Sequence, residues 1–260
     1  MEVLFKKERV PGFAIVTGSS RGLGANFAYR LASEGYDVVL NYCNAGSADV
    51  CREVKEQIEK DFGTGVVMVH ADVSDPEACK RVVQAGKDAF GCNVGVLVNN
   101  AGIHRGGNFE DVAPETYSWV INVDLVGATN MCHAVVGDMI EQGEGAIVNI
   151  SSSAAYAQSI KNEAYGTAKA ALLGLTKCLA LELAPYNIRV NAIAPGQHAT
   201  QMVREFAARD PENFKNSLAA IPMGRVGQPE ELSEAMSYLV HARFMTGHCI
   251  AHSGGRVLLS

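Results

Sequence analysis

The stretch Phe13-Ala-Ile-Val-Thr-Gly-Ser-Ser-Arg-Gly-Leu-Gly24 joins a short apolar run to a segment with helical spacing over residues 23–34. The apolar run ends at Val16, and glycines follow at positions 18, 22 and 24. A tight turn between a buried strand and a helix needs glycine, and a helix N-terminus offers unpaired N–H groups to an anion. The spacing differs from Gly-x-Gly-x-x-Gly, yet its context predicts a strand, a phosphate-binding turn and a helix.

The alternation of strand and helix continues through the rest of the chain. Six more strands are predicted at 36–42, 66–69, 94–98, 146–150, 188–193 and 247–252. The longest predicted helix covers about 114–141, and a polar helical insert lies at about 197–222. This alternation predicts an α/β fold, with one Rossmann-like domain over 1–260. Its doubly wound parallel sheet would have about seven strands and helices on both faces.

Composition excludes several classes of function. The net charge of −6 gives no basic surface for a nucleic acid. The N-terminal residues lack a signal-peptide core, and no apolar span of 18 residues is apparent, so we expect a soluble cytoplasmic protein without a membrane partner. His248 and His252 share a strand with no acidic or cysteine partner nearby, so we expect a packed pair and no metal.

Tyr165-Gly-Thr-Ala-Lys169 is a candidate for acid–base chemistry. Residues four apart share one face of a helix, and an ammonium beside a phenol stabilises the phenolate. Ser151-Ser-Ser153 ends a predicted strand, and Ser152 lies thirteen residues before the tyrosine. A hydroxyl, a phenol and an ammonium that converge can protonate or deprotonate a carbonyl/alcohol pair.

These residues occur in an order that resembles the short-chain dehydrogenase/reductase (SDR) family. The resemblance covers about 12–256 and rests on seven elements: Thr17-Gly-Ser-Ser-Arg-Gly-Leu-Gly24, Asp72, Asn99-Asn-Ala-Gly102, Asn122, Ser152, Tyr165-x-x-x-Lys169 and Pro195-Gly196. It implies interconversion of a ketone and a secondary alcohol by hydride transfer with NADP(H) or NAD(H). The segment Ile221-Pro-Met-Gly-Arg-Val-Gly-Gln-Pro-Glu-Glu231 is most similar to 3-oxoacyl-acyl-carrier-protein reductases.

The resemblance implies a role for each catalytic candidate. Tyr165 would donate the proton, Lys169 would assist it and bind the nicotinamide ribose, and Ser152 would bond the carbonyl oxygen. Ser151 and Ser153 compete with Ser152, but the thirteen-residue spacing favours Ser152. Asn122 would hold a water molecule that relays protons to the lysine.

The implied cofactor set lies at the ends of five predicted strands and on the helix after the fifth: Gly18, Ser20, Arg21, Gly22, Leu23, Asn41, Asp72, Val73, Asn99, Ala101, Gly102, Tyr165, Lys169, Pro195, Gly196, His198 and Thr200. An acid at the end of the second strand would favour NAD, and a cation would favour NADP. That strand ends in Asn41-Tyr-Cys-Asn44 without an acid, and Arg21 stands in the glycine turn. We therefore expect NADP(H) over NAD(H).

The substrate is less defined by sequence. His104 and Gln158 are predicted to line the pocket together with Ser152 and Tyr165. Residues 137–145 contain three acids and no Lys or Arg, which disfavours docking of an acidic carrier protein. A hydroxysteroid or another small-molecule alcohol is therefore the alternative substrate. A non-catalytic NADP(H)-binding sensor is the alternative class, but it would not need the Ser-Tyr-Lys-Asn set. Relatives of this kind imply a homotetramer or homodimer.

Overall fold

The computed structural model describes residues 9–157 and 160–258, and it confirms the predicted parallel sheet. The strands are β1 (Phe13–Val16), β2 (Val38–Tyr42), β3 (Val66–His70), β4 (Val94–Asn99), β5 (Gly145–Ile150), β6 (Ile188–Pro195) and β7 (Cys249–His252). Their order in space is β3-β2-β1-β4-β5-β6-β7, and every neighbouring pair is parallel.

Helices connect the strands and cover both faces of the sheet. They are α1 (Gly22–Ser33), α2 (Ala48–Phe62), α3 (Pro76–Phe90), α4 (Pro114–Ile121), α5 (Gly127–Gln142), α6 (Glu163–Leu183), α7 (Gln201–Arg209), α8 (Pro211–Ala219) and α9 (Pro229–His241). The predicted insert at 197–222 contains α7 and α8.

Two cores form because successive residues of a strand point to opposite faces. Ala14 and Val16 of β1 pack in one core with Phe27 of α1. Phe13 and Ile15 pack in the other core, which α3, α5 and α6 cover. The apolar runs therefore read as continuous because both faces are buried, as in other sheets covered on both sides.

The chain reverses its direction of winding beside β1, which lies between β2 and β4. The connection after β1 leads to one side of the sheet and the connection after β4 leads to the other, so a crevice is left at the carboxyl ends of β1 and β4. The glycine turn after β1 and the Asn99–Gly102 turn after β4 therefore lie at the same place.

The predicted helix over 114–141 is interrupted. A π-helical segment at Asn122–Val126 separates α4 from α5. Taken together, Pro114–Gln142 spans 29 residues and contains 18 consecutive residues with mean hydropathy 1.2, long and apolar enough to cross a membrane by length and composition alone. This corrects the expectation that no such span exists. Of those 18 residues, 44% are buried inside the protein.

Helices α1 and α9 are joined by one partly buried carboxylate. Glu34 accepts hydrogen bonds from Arg30 Nε at 2.9 Å and His241 Nε2 at 2.9 Å, and also from Ser237. Burial by itself raises the pKa of Glu34, but these bonds outweigh it and hold the pKa at about 2. Because the folded pKa is depressed, this stability is present at neutral pH and is lost as pH falls from about 4.5 towards 2.

We expect Glu34→Gln to lower the free energy of unfolding at pH 7 by on the order of 2 kcal/mol, because the charged bonds are weakened. The difference in unfolding free energy from the unsubstituted protein should shrink at pH 3. At that pH the unsubstituted protein has itself begun to lose the stability that ionised Glu34 contributes. Urea unfolding at the two pH values measures the effect. Glu59→Gln is the control, since its pair with Lys55 is more exposed. A difference that is equal at both pH values would contradict the prediction.

Candidate active site

The glycine-rich turn is compact because two of its glycines have left-handed backbone angles and a third lies where a side chain does not fit. Gly18 and Gly22 have φ angles of +62° and +61°, in the left-handed region that favours glycine. A β-carbon on Gly24 would lie 2.4 Å from the carbonyl oxygen of Gly18. The first N–H groups of α1 therefore lie directly beside the end of β1.

The space above this turn fits a diphosphate. A β-carbon on Gly22 would meet Thr200 Cγ2 at 3.9 Å and no other atom within 4 Å in the described part of the chain. Arg21 is the exposed N-cap residue of α1, and its side chain does not cap the helix. Open space, a hydroxyl, a guanidinium and a helix N-terminus are what a dinucleotide phosphate needs. Ser20 and Leu23 are buried or half-buried beside this space.

Asn100 and Thr17 tie the two turns together. The Thr17 hydroxyl accepts hydrogen bonds from the N–H groups of Asn100 and Ala101, each at 2.9 Å. Asn100 Nδ2 donates to the carbonyls of Thr17 and Gly18. The sequence interpretation gave Asn100 no role; an amide at a strand end opposite a turn hydroxyl was the available signal.

Asn41 makes similar hydrogen bonds on the other side of β1, where it joins the glycine turn to the segment after β3. Its Oδ1 accepts from the N–H of Gly18 at 3.2 Å, and its Nδ2 donates to the carbonyl of Ala71 at 2.9 Å. The buried side chain is thus used to position the glycine turn, and a cofactor contact would not come from its amide.

Asp72 and Val73 follow β3 at the same edge. Asp72 is exposed, and its Oδ1 accepts from the N–H and the hydroxyl of Ser74. The cap of α3 is Asp75, whose side chain accepts from the N–H of Glu77. Val73 is buried. Asp72 therefore presents a carboxylate at the surface of the crevice, where it can contact a ligand.

Asn99 faces the interior and braces the sheet. Its Nδ2 donates to Asn149 Oδ1 at 2.9 Å, and Asn149 Nδ2 in turn donates to Thr176 Oγ1 at 2.9 Å. This chain of bonds links β4, β5 and α6. The Asn99 side chain therefore braces the sheet and is not directed to a cofactor.

Pro195 ends β6, and Gly196 allows close packing after it. A β-carbon on Gly196 would lie 2.9 Å from Ser253 Cα. His198 is buried, which lowers its pKa, and its Nε2 lies 2.9 Å from His252 Nδ1. The partner of His252 is thus His198 and not His248, which corrects the predicted pair. Both ring nitrogens of His198 already have partners, the Gly196 carbonyl and His252, so the main chain of His198 is the part left to contact a cofactor.

The tyrosine, lysine and serine candidates meet at the ends of β5 and α6. Lys169 Nζ lies 5.5 Å from the centre of the Tyr165 ring. Ser151 is buried and its hydroxyl donates to the Lys169 carbonyl, so it is not the substrate serine. Ser152 accepts from the N–H of Ala154 at 3.1 Å, and as an acceptor it keeps its own proton for another partner.

Asp124, not Asn122, is the residue beside Lys169. Asn122 is exposed, whereas the Asp124 side chain is fully buried with Oδ2 3.2 Å from Lys169 Nζ. Its Oδ1 accepts from the N–H of Ile103 at 2.7 Å. The prediction for Asn122 was therefore wrong. Both residues belong to the π-helical segment, whose wider turn changes which side chain points inward.

His104 lies against the tyrosine at the rim of the site. Its ring is edge-on to the Tyr165 ring, with 5.1 Å between centres. Its Nε2 lies 2.6 Å from Asn162 Oδ1, a partner that sequence reasoning missed. The other predicted substrate residue, Gln158, lies outside the described residues.

Comparison with known proteins places this fold and site in one class. A family model described as enoyl-(acyl carrier protein) reductase matches residues 18–256. Acetoacetyl-CoA reductase from Shinella zoogloeoides is 38% identical over 247 residues, covering 94% of this chain and 97% of the relative. The 3-oxoacyl-(acyl-carrier-protein) reductase FabG from Staphylococcus aureus is 36% identical over 244 residues, covering 93% and 96%.

A solved short-chain type dehydrogenase/reductase from Mycobacterium marinum has a TM-score of 0.89 and 29% identity, covering 99% of this chain and 100% of that one. The fold and the converging tyrosine and lysine define an oxidoreductase that acts on alcohols or ketones. The chain belongs to the short-chain dehydrogenase/reductase family.

We expect Gly24→Ala to weaken dinucleotide binding at least tenfold, because its methyl group would displace the Gly18 carbonyl or the Asn100 amide. Fluorescence titration with NADPH measures the effect. Gly174→Ala is the matched control: it lies in α6, where a β-carbon meets nothing within 4 Å. Unchanged affinity in Gly24→Ala would show that the turn does not contact the dinucleotide.

Proposed function

We propose that this protein is an NADPH-dependent reductase of 3-oxoacyl thioesters, with a coenzyme A ester as the preferred form. The observation that carries the proposal is the Tyr165–Lys169 pair beside Ser152, at the sheet edge that also holds the glycine turn. The similarity to acetoacetyl-CoA reductase supports the thioester.

The roles of the chain's own groups follow from their contacts. A bound nicotinamide supplies the hydride for the carbonyl carbon. Ser152 donates a hydrogen bond to the carbonyl oxygen and fixes its direction. Tyr165 gives its phenolic proton to the same oxygen as negative charge develops there. The Lys169 ammonium, 5.5 Å from the ring centre, stabilises the phenolate that remains.

The end of β2 supports NADP(H). The strand finishes at Tyr42, and Cys43 and Asn44 follow, so the strand end itself supplies no carboxylate for a ribose 2′-hydroxyl. Arg21 is exposed at the start of α1, where its guanidinium can reach a 2′-phosphate.

The charges at the end of α5 favour coenzyme A over a carrier protein. Residues 137–145 contain no Lys or Arg, and the cations that reach them are already paired: Lys87 lies 2.8 Å from Asp138, and Arg243 lies 3.9 Å from Glu144. An acidic carrier protein would therefore meet carboxylates and paired cations at this end of the helix, which is a poor docking surface.

We further propose a cytoplasmic homotetramer or homodimer. The support is a set of large apolar side chains at the surface: Leu181 of α6, Tyr238 of α9 and Phe244 beyond it. A second copy of the chain would remove such side chains from water.

We expect NADPH oxidation with acetoacetyl-CoA to fall roughly 10²- to 10⁴-fold in Tyr165→Phe, since the proton donor is lost. Tyr186→Phe is the control, because that tyrosine is exposed after the end of α6 and outside the site. Acetoacetyl-carrier protein, a steroid ketone and a cyclic ketone form the other arms of the assay. Faster turnover of a free ketone or of the carrier ester would replace the substrate proposed. Retained activity in Tyr165→Phe would refute the mechanism.

We expect Arg21→Ala to raise the KM for NADPH roughly tenfold or more, the loss of one charged hydrogen bond, and to leave the KM for NADH unchanged. Steady-state kinetics with both dinucleotides measure this, and Arg81→Ala on α3 is the control. Equal or better use of NADH by the unsubstituted protein would overturn the preference.

A further inference from the structure

A buried carboxylate faces the catalytic lysine. Asp124 has no exposed side-chain surface, and the Lys169 side chain is 5% exposed. Their charged groups are 3.2 Å apart, and the lysine also donates to the Ile150 carbonyl at 3.1 Å. Such a pair interacts strongly, because little water is present to screen it.

The pair is held rigidly against the main chain. The N–H of Ile103 donates to the second oxygen of Asp124 at 2.7 Å. A β-carbon on Gly102 would lie 2.8 Å from Asp124 Oδ2 and 3.1 Å from Lys169 Nζ. Both charged groups therefore pack directly against the main chain of Gly102, which has no side chain to separate them from it.

A carboxylate here differs in effect from an amide of the same shape. An amide could also accept a bond from the N–H of Ile103, although a weaker one, and it would carry no charge. The carboxylate opposes the ammonium, and it thereby reduces the stabilisation that Lys169 gives to a phenolate at Tyr165. The chemical choice at position 124 therefore acts on the proton of the tyrosine.

Two neutral polar groups and one titratable ring also lie beside this pair and Tyr165. The end of β5 contributes the Ile150 carbonyl and the Ser152 hydroxyl. The loop after β4 contributes His104, whose ring lies 5.1 Å from that of Tyr165. The titration of His104 must therefore be separated from that of the tyrosine.

We propose that Asp124 is a positioning residue whose negative charge, acting through Lys169, keeps Tyr165 protonated to higher pH than the lysine alone would allow. The inference rests on the proposed role of Tyr165 as the proton donor. It predicts that the pH dependence of the enzyme is set by an ion pair and not by the lysine by itself.

The test compares Asp124→Asn with the unsubstituted enzyme, each also in a His104→Gln background. The pH profiles of kcat/KM are recorded for ketone reduction and for alcohol oxidation. We expect the midpoint in both directions to move to lower pH by roughly one unit or more, as expected for loss of a nearby charge in a buried site. Asn122→Asp is the matched control, since it adds a carboxylate on the exposed side of the same segment, where water screens it.

A second measurement needs no turnover. Tyrosinate absorbance is titrated for each enzyme, and the signal of its Tyr165→Phe form is subtracted. The same downward shift is expected in Asp124→Asn, and Asp124→Ser replaces that variant should it fail to fold. An unchanged midpoint or an upward shift would overturn the inference. Absence of turnover with every carbonyl would count against the proposed function, while the absorbance titration would still decide the role of Asp124.

Discussion

The ammonium of Lys169 is buried, and much of the surrounding structure serves to satisfy it. A buried charge without partners is costly, so it must be paired and hydrogen-bonded. Asp124 supplies the opposite charge and the Ile150 carbonyl supplies a second acceptor. These partners come from the π-helical segment and from β5. The pairing therefore fixes how α6, β5 and the helix over the site lie relative to one another, and Tyr165 is placed by the same arrangement.

Side-chain amides join the strand ends into a frame around this pair. Asn41 links the glycine turn to β3, Asn100 links it to β4, and Asn99 connects β4 to β5. Each amide both donates and accepts, so one buried residue can satisfy main-chain groups from two elements. The frame holds the glycine turn and the Tyr165–Lys169 pair at the same edge of the sheet.

The fold was predictable from local pattern to within a few residues. Strands such as β1 bury both faces, so their apolar runs are continuous, and glycine or proline marks most helix ends. The proximity of Tyr165 and Lys169 was also predictable, because a four-residue spacing on one helix is a local feature. The choice of Ser152 over Ser151 and Ser153 rested on the resemblance to a family. The interruption between α4 and α5 was not predictable. A π-helical segment has no composition of its own, so 114–141 read as one helix.

Sequence alone determined the parallel sheet, the edge at which chemistry occurs and the residues whose spacing is local. The tertiary structure decided the partners that come from distant parts of the chain. It assigned the place beside the lysine to Asp124 instead of Asn122, paired His198 with His252, and turned Asn99 into the interior. The physical reason is that side-chain direction depends on helix register and on contacts between elements. A change of one residue in helix register turns a different side chain inward. Neither the register nor the contacts between distant elements can be read from residues that are neighbours in the sequence.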